Sequence, residues 1–251
     1  TGQLFVDFAS GTNPAYINQV YAQLNDGDVQ AAYTAGPHWQ AKMYNPNIGD
    51  FQSVTARGIG GSYLGQSLSL TWSIVPDNTS MASSGLPREL PCASNLIATY
   101  DSRYGAGVWQ AMFEKVFADW SAGSGIVFER EMGPTGQGFD DGAAWPNASG
   151  EIGKRGDIRI GGCNLDGPGG VAGFGYTPNT GDLKLDTTEV NLLLNSTLRL
   201  TLAHEVGHTL GLYHTCPDGV PGVSIQPYSW LMHSFDTLSN TGRYGPQHDD
   251  I

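Results

Sequence analysis

The sequence predicts an α+β fold, and three kinds of segment carry that prediction. Residues 68–75 (LSLTWSIV) alternate in polarity and are rich in β-forming residues, which is typical of a strand. Residues 125–131 and 156–162 also have the composition of short strands. Residues 107–121 form an amphipathic helix, and a second helix starts near Ser196.

The amphipathic helix is predicted from apolar residues that recur at intervals of three and four: Val108, Trp109, Met112, Phe113, Val116, Phe117 and Trp120. A stripe of this kind belongs in a core. Residues 13–24 are expected to form an earlier helix that Asn13 caps. The Gly/Ser-rich residues 56–67 suggest a boundary, with an N-terminal extension at 1–60 and a larger main domain at 61–251. A long loop follows the strand at 68–75.

Composition excludes several classes of function. The 251 residues carry a net charge of −12, so no basic surface is available to neutralise phosphates and nucleic acid is not a partner. No apolar run reaches the roughly 20 residues of a membrane helix. The chain starts at Thr1 without a signal peptide, so we expect a mature or trimmed form of something longer. We also expect the protein to be secreted, extracellular and a monomer.

Three cysteines allow one disulfide in a secreted chain and leave one thiol. Cys92, Cys163 and Cys216 permit three pairings, and the sequence does not choose among them.

The stretch HEVGHTLGLYH, residues 204–214, holds half of the six histidines. His204 and His208 are one helical turn apart, so both imidazoles lie on one face and form half of a zinc site. Glu205 is placed to act as the general base for a water on the metal. Gly211 can end the helix and turn the chain, and His214 can then supply a third ligand. Three protein ligands with one open position are typical of a catalytic zinc.

HExxHxxGxxH is the signature of the metzincin zinc proteases, and the sequence resembles their matrixin branch. Thr215 follows the third histidine as in matrixins, and Met232 in YSWLMHSF supplies the methionine turn under the metal. GDIRIGG, DGPGGVAGFGYTP and GDLKLDTTE follow the matrixin order of strand, loop and strand. The resemblance implies a zincin-like fold: a twisted, mostly parallel five-stranded sheet with an active-site helix, a backing helix and a largely missing C-terminal helix.

The same resemblance implies a secreted zinc endopeptidase that acts on proteins or peptides. Glu205 would activate a zinc-bound water, and the strand at 170–176 would hold substrate as an added strand along Val171, Ala172, Gly173 and Phe174. The alternative is an inactive, metal-stabilised binding or adhesion module of the same fold. Such a module would be expected to lose Glu205 or a ligand, and this chain keeps them.

A structural calcium site is also implied by the resemblance. Its carboxylates would come from Asp166, Asp186 and Glu189, and its backbone carbonyls from Gly167, Gly169 and Val171. The second, structural zinc of the family is expected to be absent. Its histidine positions hold Phe174 and Lys184.

Residues 1–60 match no family pattern, which leaves two interpretations. No cysteine precedes Cys92, so a cysteine cannot block the zinc from this segment. An aspartate such as Asp7 or Asp50 could block it instead, and this would make the segment a prosegment. An extension packed on the outside of the catalytic domain is the alternative that the residues favour.

Overall fold

The computed structural model describes residues 4–8, 13, 15, 16, 19, 40–45, 50–55, 68–81, 89, 91–145, 148, 150–176, 181–210 and 212. The strands are β1 Leu4–Phe8, β2 Gln40–Asn45, β3 Asp50–Thr55, β4 Leu68–Ile74, β5 Ser80–Met81, β6 Cys92–Ala93, β7 Val127–Arg130, β8 Ile158–Cys163, β9 Val171–Tyr176 and β10 Leu183–Asp186. The helices are α1 Leu96–Tyr104, α2 Val108–Ser124 and α3 Thr197–Thr209.

Five strands make the centre of the main sheet. β7, β4, β8 and β10 are mutually parallel neighbours, and β9 pairs antiparallel with β10. This confirms the predicted α+β class with a mixed, mostly parallel five-stranded sheet and two long helices, α2 and α3. Parallel strands require crossovers, and α2 lies within the connection from β4 to β7.

Three further strands from residues 1–60 join the same sheet at its two ends. β1 pairs antiparallel with β9, while β2 pairs with both β4 and β3, so the full order is β1-β9-β10-β8-β4-β2-β3 with β7 beside β4. Strands from both sides of residue 60 therefore share one sheet, and a domain boundary at that residue stays a prediction.

The backing helix α2 packs its apolar stripe against the sheet. Trp109, Phe113, Phe117 and Trp120 are buried, and the Phe117 ring stacks on Trp72 of β4 at 4.3 Å between centroids. Removing this stripe from water is the main force that holds the helix in place. The predicted stripe was wrong at one end: Val108 is 51% exposed, because it is the first residue of the helix.

Helix α1 lies just after the stretch predicted as a long loop. Its start is fixed by Asp77, whose carboxylate oxygens accept the backbone N–H groups of Ile97 at 3.0 Å and Ala98 at 2.8 Å. A negative charge at a helix N-terminus satisfies free donors and matches the helix dipole. The cap comes from 20 residues upstream, a separation at which local capping patterns give no signal.

A disulfide between Cys92 and Cys163 ties β6 to β8. The structure thus selects one of the three pairings that the sequence left open, and Cys216 lies outside the described residues. Of the helix predicted at 13–24, the described residues 15, 16 and 19 are helical, and Asn13 Oδ1 accepts the N–H of Ala15 at 2.8 Å. No helix among the described residues is long and apolar enough to cross a membrane.

Candidate active site

Helix α3 carries the first six residues of the motif, His204 to Thr209, and the helix is buried from Leu200 onward. It contacts α2 and β9, and every residue from Leu200 to Leu210 is buried. The Trp120 indole N–H of α2 donates to the backbone carbonyl of Ala203 at 3.0 Å, one residue before His204. The backing helix α2 therefore holds the motif helix α3 by both shape and a hydrogen bond.

The two histidines of the motif face each other, as the four-residue spacing predicts. The Nε2 atoms of His204 and His208 are 2.9 Å apart, and the two rings are nearly perpendicular at 84°. His208 Nδ1 lies 2.8 Å from the carbonyl oxygen of Leu212. A carbonyl only accepts, so Nδ1 carries the proton and Nε2 keeps its lone pair on the side of His204.

This arrangement fits a zinc ion. Two Zn–N bonds of about 2.0–2.1 Å in a tetrahedral site place the nitrogens roughly 3.3 Å apart, close to the distance between the two Nε2 atoms. A ligand histidine commonly donates its other ring N–H to a carbonyl, which is what the Leu212 carbonyl accepts from His208. Both residues are nearly or fully inaccessible to solvent.

Glu205 is fully buried and lies directly beside β9. A β-carbon built on Gly175 of β9 would lie 2.8 Å from the Glu205 backbone oxygen and 3.0 Å from its Oε2 atom. The same β-carbon would meet His208 Cβ at 3.2 Å. Only glycine lets the strand approach this closely, so β9 runs past the Glu205 carboxylate without a side chain between them.

The predicted substrate strand is β9. Val171, Ala172, Gly173 and Phe174 all lie in it, and all are buried. One edge of β9 pairs with β10, and the other pairs with β1 from the N-terminal segment. Both edges of β9 are therefore paired in this structure, and its role in binding substrate stays a prediction.

The three carboxylates of the predicted calcium site surround one loop, residues 164–171. Asp186 Oδ2 accepts the N–H groups of Leu165 and Asp166, while Glu189 Oε1 accepts those of Gly169 at 2.6 Å and Gly170 at 3.1 Å. Gly167 and Gly169 adopt φ values of 88° and 81°, which the turns of this loop require.

Burial raises the pKa of all three carboxyl groups. The pKa of Asp166 rises to about 6, mainly from burial and with a smaller part from the charge of Asp186. The pKa values of Asp186 and Glu189 are raised for the same first reason, and Asp166 and Asp186 repel the charge of Glu189. Their oxygens bind loop N–H groups, and no three His, Cys, Asp or Glu side chains among the described residues are grouped to hold a metal. The calcium ligands therefore stay a prediction.

Lys184 and Phe174, which stand at the histidine positions of the family's second zinc, contact each other. The Lys184 ammonium lies 5.4 Å from the centre of the Phe174 ring and 3.2 Å from Glu89 Oε1. Both charged side chains of this ion pair are fully buried. A cation and its counter-ion thus fill the space next to Phe174.

Several predicted residues fall outside the described part of the chain. These are Gly211, His214, Thr215 and Met232. The third zinc ligand and the methionine turn therefore remain predictions from the sequence.

The sequence analysis missed three residues that position the site. Leu212 orients His208 through its carbonyl, Glu89 neutralises Lys184, and Arg103 of α1 donates to the carbonyls of Thr187 and Glu189. Backbone acceptors carry no side-chain signal. Glu89 and Arg103 act across 95 and 86 residues, so no local pattern reveals them.

A family model described as Matrixin matches residues 94–220, half of the chain. The match runs from before α1 past the end of α3 and includes His204, Glu205, His208 and His214. The chain is a matrixin. The resemblance inferred from the motif is confirmed, and so is the metzincin fold that it implied.

Membership of the matrixin family supports the general class of this protein, a zinc-dependent protease with protein substrates. The facing histidines of α3 agree with that class, because they form the metal half-site that the family's chemistry needs.

Proposed function

We propose that this matrixin is an endopeptidase in which His204, His208 and His214 hold a catalytic zinc and Glu205 is the general base. The observation that carries the proposal is the pair of Nε2 atoms 2.9 Å apart beside a fully buried glutamate. When bound, zinc lowers the pKa of a water and polarises the carbonyl of the scissile peptide.

Glu205 moves the protons of the reaction. Its carboxylate accepts a proton from the attacking water and later donates it to the departing amine of the cleaved peptide. The Leu212 carbonyl keeps His208 in the tautomer that binds metal. The substrate chain would bind along β9, next to Glu205.

The experiment is cleavage of an unfolded protein such as casein by the Glu205→Ala variant. We expect zinc content to match wild type and cleavage to fall by at least about 10³-fold, since the general base is lost. Glu151→Ala is the matched control, because Glu151 is exposed and contacts Lys154 and Arg155 away from α3. Undiminished cleavage by Glu205→Ala would refute the mechanism, and no cleavage by wild type would favour a binding module instead.

We further propose one zinc per chain and a calcium ion at Asp166, Asp186 and Glu189. A divalent cation would relieve the repulsion among three carboxyl groups that burial already disfavours as anions. We expect calcium, but not magnesium, to raise the melting temperature, and Glu189→Gln to reduce that rise. Two zincs per chain by elemental analysis, or equal stabilisation of wild type and Glu189→Gln by calcium, would contradict this assignment.

Secretion is also part of the proposal. The Cys92–Cys163 disulfide supports it, because disulfides persist mainly in oxidising compartments. Fractionation of cells that express the protein should place it, with this disulfide intact, in the medium.

A further inference from the structure

Helix α1 holds the segment between β10 and α3 through the side chain of Arg103. The Arg103 guanidinium donates to the carbonyl of Thr187 at 2.9 Å through Nη2 and to that of Glu189 at 3.0 Å through Nη1. A guanidinium presents its N–H groups as a rigid, planar fork, so two bonds from one side chain fix the direction of the backbone between the two carbonyls. Residues 187–189 are therefore held in orientation as well as in position.

Glu189 passes this constraint to the start of β9. Its Oε1 atom accepts the N–H groups of Gly169 at 2.6 Å and Gly170 at 3.1 Å, the two residues that immediately precede the strand. Glu189 is buried, and its side chain has much rotamer freedom to lose, so the carboxylate stays on these donors only while its own backbone is fixed. The beginning of β9 is thus linked to Arg103 through one buried carboxylate.

The other end of β9 is positioned by α3 and not by α1. A β-carbon on Gly175 would lie 2.8 Å from the Glu205 backbone oxygen, and one on Gly173 would lie 3.2 Å from Thr201 of α3. This close packing keeps Glu205 beside the last part of the strand. A disturbance at residues 187–189 should therefore shift the beginning of β9 while Glu205 keeps its place beside Gly175.

We propose that Arg103 is a positioning residue for substrate, because it fixes Glu189 and, through Glu189, the first residues of β9. The inference rests on the proposed peptidase function, in which the substrate chain binds along β9. Loss of the Arg103 fork should weaken substrate binding at the start of the strand and leave proton transfer at Glu205 unchanged. Such a change raises KM and leaves kcat nearly constant.

The first test is the hydrolysis of a quenched-fluorescent peptide by Arg103→Lys. Lysine keeps the positive charge, but its compact ammonium cannot replace a planar fork that spans two carbonyls. We expect KM to rise about five- to tenfold, with kcat within about twofold of wild type. Free guanidinium, added to Arg103→Ala at concentrations that do not affect wild type, should lower KM again. The same excess of calcium is present with every chain, so that calcium affinity does not enter the comparison.

Two further variants test whether the effect passes through Glu189. Tyr104→Phe is the matched control on α1, since the Tyr104 hydroxyl donates at 2.5 Å to the carbonyl of Leu192, which lies beyond Glu189 toward α3. Its KM should equal that of wild type. Glu189→Ala removes the acceptor for the loop N–H groups, so Arg103→Lys should cause no further rise in KM in that background.

Hydrogen exchange tests the same link without catalysis. In Arg103→Lys, amide exchange should be faster than in wild type over residues 169–176 and unchanged over β4, because local opening reflects the loss of local contacts. This measurement needs neither substrate nor the Glu189→Ala variant.

The outcomes separate this inference from the proposed function. An unchanged KM together with unchanged exchange at residues 169–176 in Arg103→Lys overturns the positioning role and leaves the peptidase standing. A fall in kcat at constant KM, or an equal rise in KM in Tyr104→Phe, also overturns it. Absence of hydrolysis by wild type overturns the proposed function, and hydrogen exchange then still decides whether Arg103 fixes the start of β9.

Discussion

β8 and β10 present opposite chemistry to the two faces of the sheet. On the face that α2 and α3 cover, they contribute only apolar side chains to the main core: Ile158, Ile160, Leu183 and Leu185. On the other face, the alternate residues include Arg159 of β8 and Lys184 of β10, with Asp182 immediately before β10, and each of these is no more than 1% exposed. Both faces are equally dry, but one is apolar and the other is ionic.

The two faces are therefore held by different forces. The helix face depends on burial and shape, as in the stacking of Trp72 on Phe117. The ionic face depends on pairing: Arg159 Nε lies 2.7 Å from Asp140 Oδ2, and Lys184 pairs with Glu89. A buried charge without its partner is strongly destabilising. Single substitutions on the ionic face should therefore lower the free energy of unfolding more than their distance from the motif suggests.

The largest effect is expected from Glu89→Leu. It leaves the Lys184 ammonium buried without that carboxylate, and we expect the free energy of unfolding to fall by about 3–5 kcal/mol. Urea denaturation followed by tryptophan fluorescence measures this loss.

The double variant Glu89→Leu/Lys184→Met is the control for this prediction. Replacing both charges by apolar groups should restore most of the stability, since no unpaired charge remains. A double variant as unstable as Glu89→Leu would show that the packing of Glu89 matters, and not its charge.

On the helix face, Trp120→Phe should have a smaller effect. It removes the indole donor to the Ala203 carbonyl and leaves a small cavity, so we expect a loss of about 1–3 kcal/mol in unfolding free energy. Because α3 keeps its other contacts, zinc content should be unchanged. If Trp120→Phe is fully folded but binds less zinc than wild type, Trp120 positions the zinc ligands and does not merely stabilise the helix.

The two faces also differ because the ionic face holds a buried acid, Asp182, whose protonation affects stability. Burial raises the pKa of Asp182 well above its usual value, and the negative charge of Asp140 also raises it. The positive charges of Arg159 on β8 and Lys184 on β10 lower it, but burial outweighs them. The folded state then holds this proton more tightly than the unfolded state, so Asp182 reduces stability progressively as the pH rises above about 4. Asp182→Asn lacks this titration.

We therefore expect the difference in unfolding free energy, Asp182→Asn minus wild type, to increase with pH, by at most about 1.4 kcal/mol per pH unit. Denaturation of both proteins at several pH values from about 4 to 7 measures this difference. The titration of the other groups is common to both proteins, so it cancels in the difference. A difference that is constant with pH would mean that Asp182 is ionised in the folded state throughout this range.

The helix face and the two facing histidines of α3 were predictable because their signals are local. The stripe from Trp109 to Trp120 repeats with the helix period, and His204 and His208 are one turn apart, so each pattern specifies its own geometry. Short β-rich segments likewise predicted the strands β4, β7, β8 and β9 in their order along the chain.

The ionic face could not be predicted in the same manner. In DIRI and LKLD, alternation indicates a strand with one apolar face, and a charged residue on the other face would ordinarily be assigned to solvent. Arg159 is instead enclosed by Asp140 and the carbonyls of Ala143 and Ala144, which come from a loop. Burial of that face depends on long connections whose path has no periodic signal, and the same holds for the pairing of β1 with β9.

The smallest effect should come from an ion pair that belongs to neither face. Lys115 and Asp119 lie on α2 one turn apart with 3.1 Å between Nζ and Oδ1, and the Lys115 side chain is 57% exposed. Water screens such a pair, so Lys115→Ala should change the unfolding free energy by no more than about 0.5 kcal/mol. Breaking an ion pair should thus lower the free energy of unfolding by several kcal/mol at Lys184 and hardly change it at Lys115. A loss at Lys115 comparable to that of Glu89→Leu would show that burial does not set the strength of these pairs.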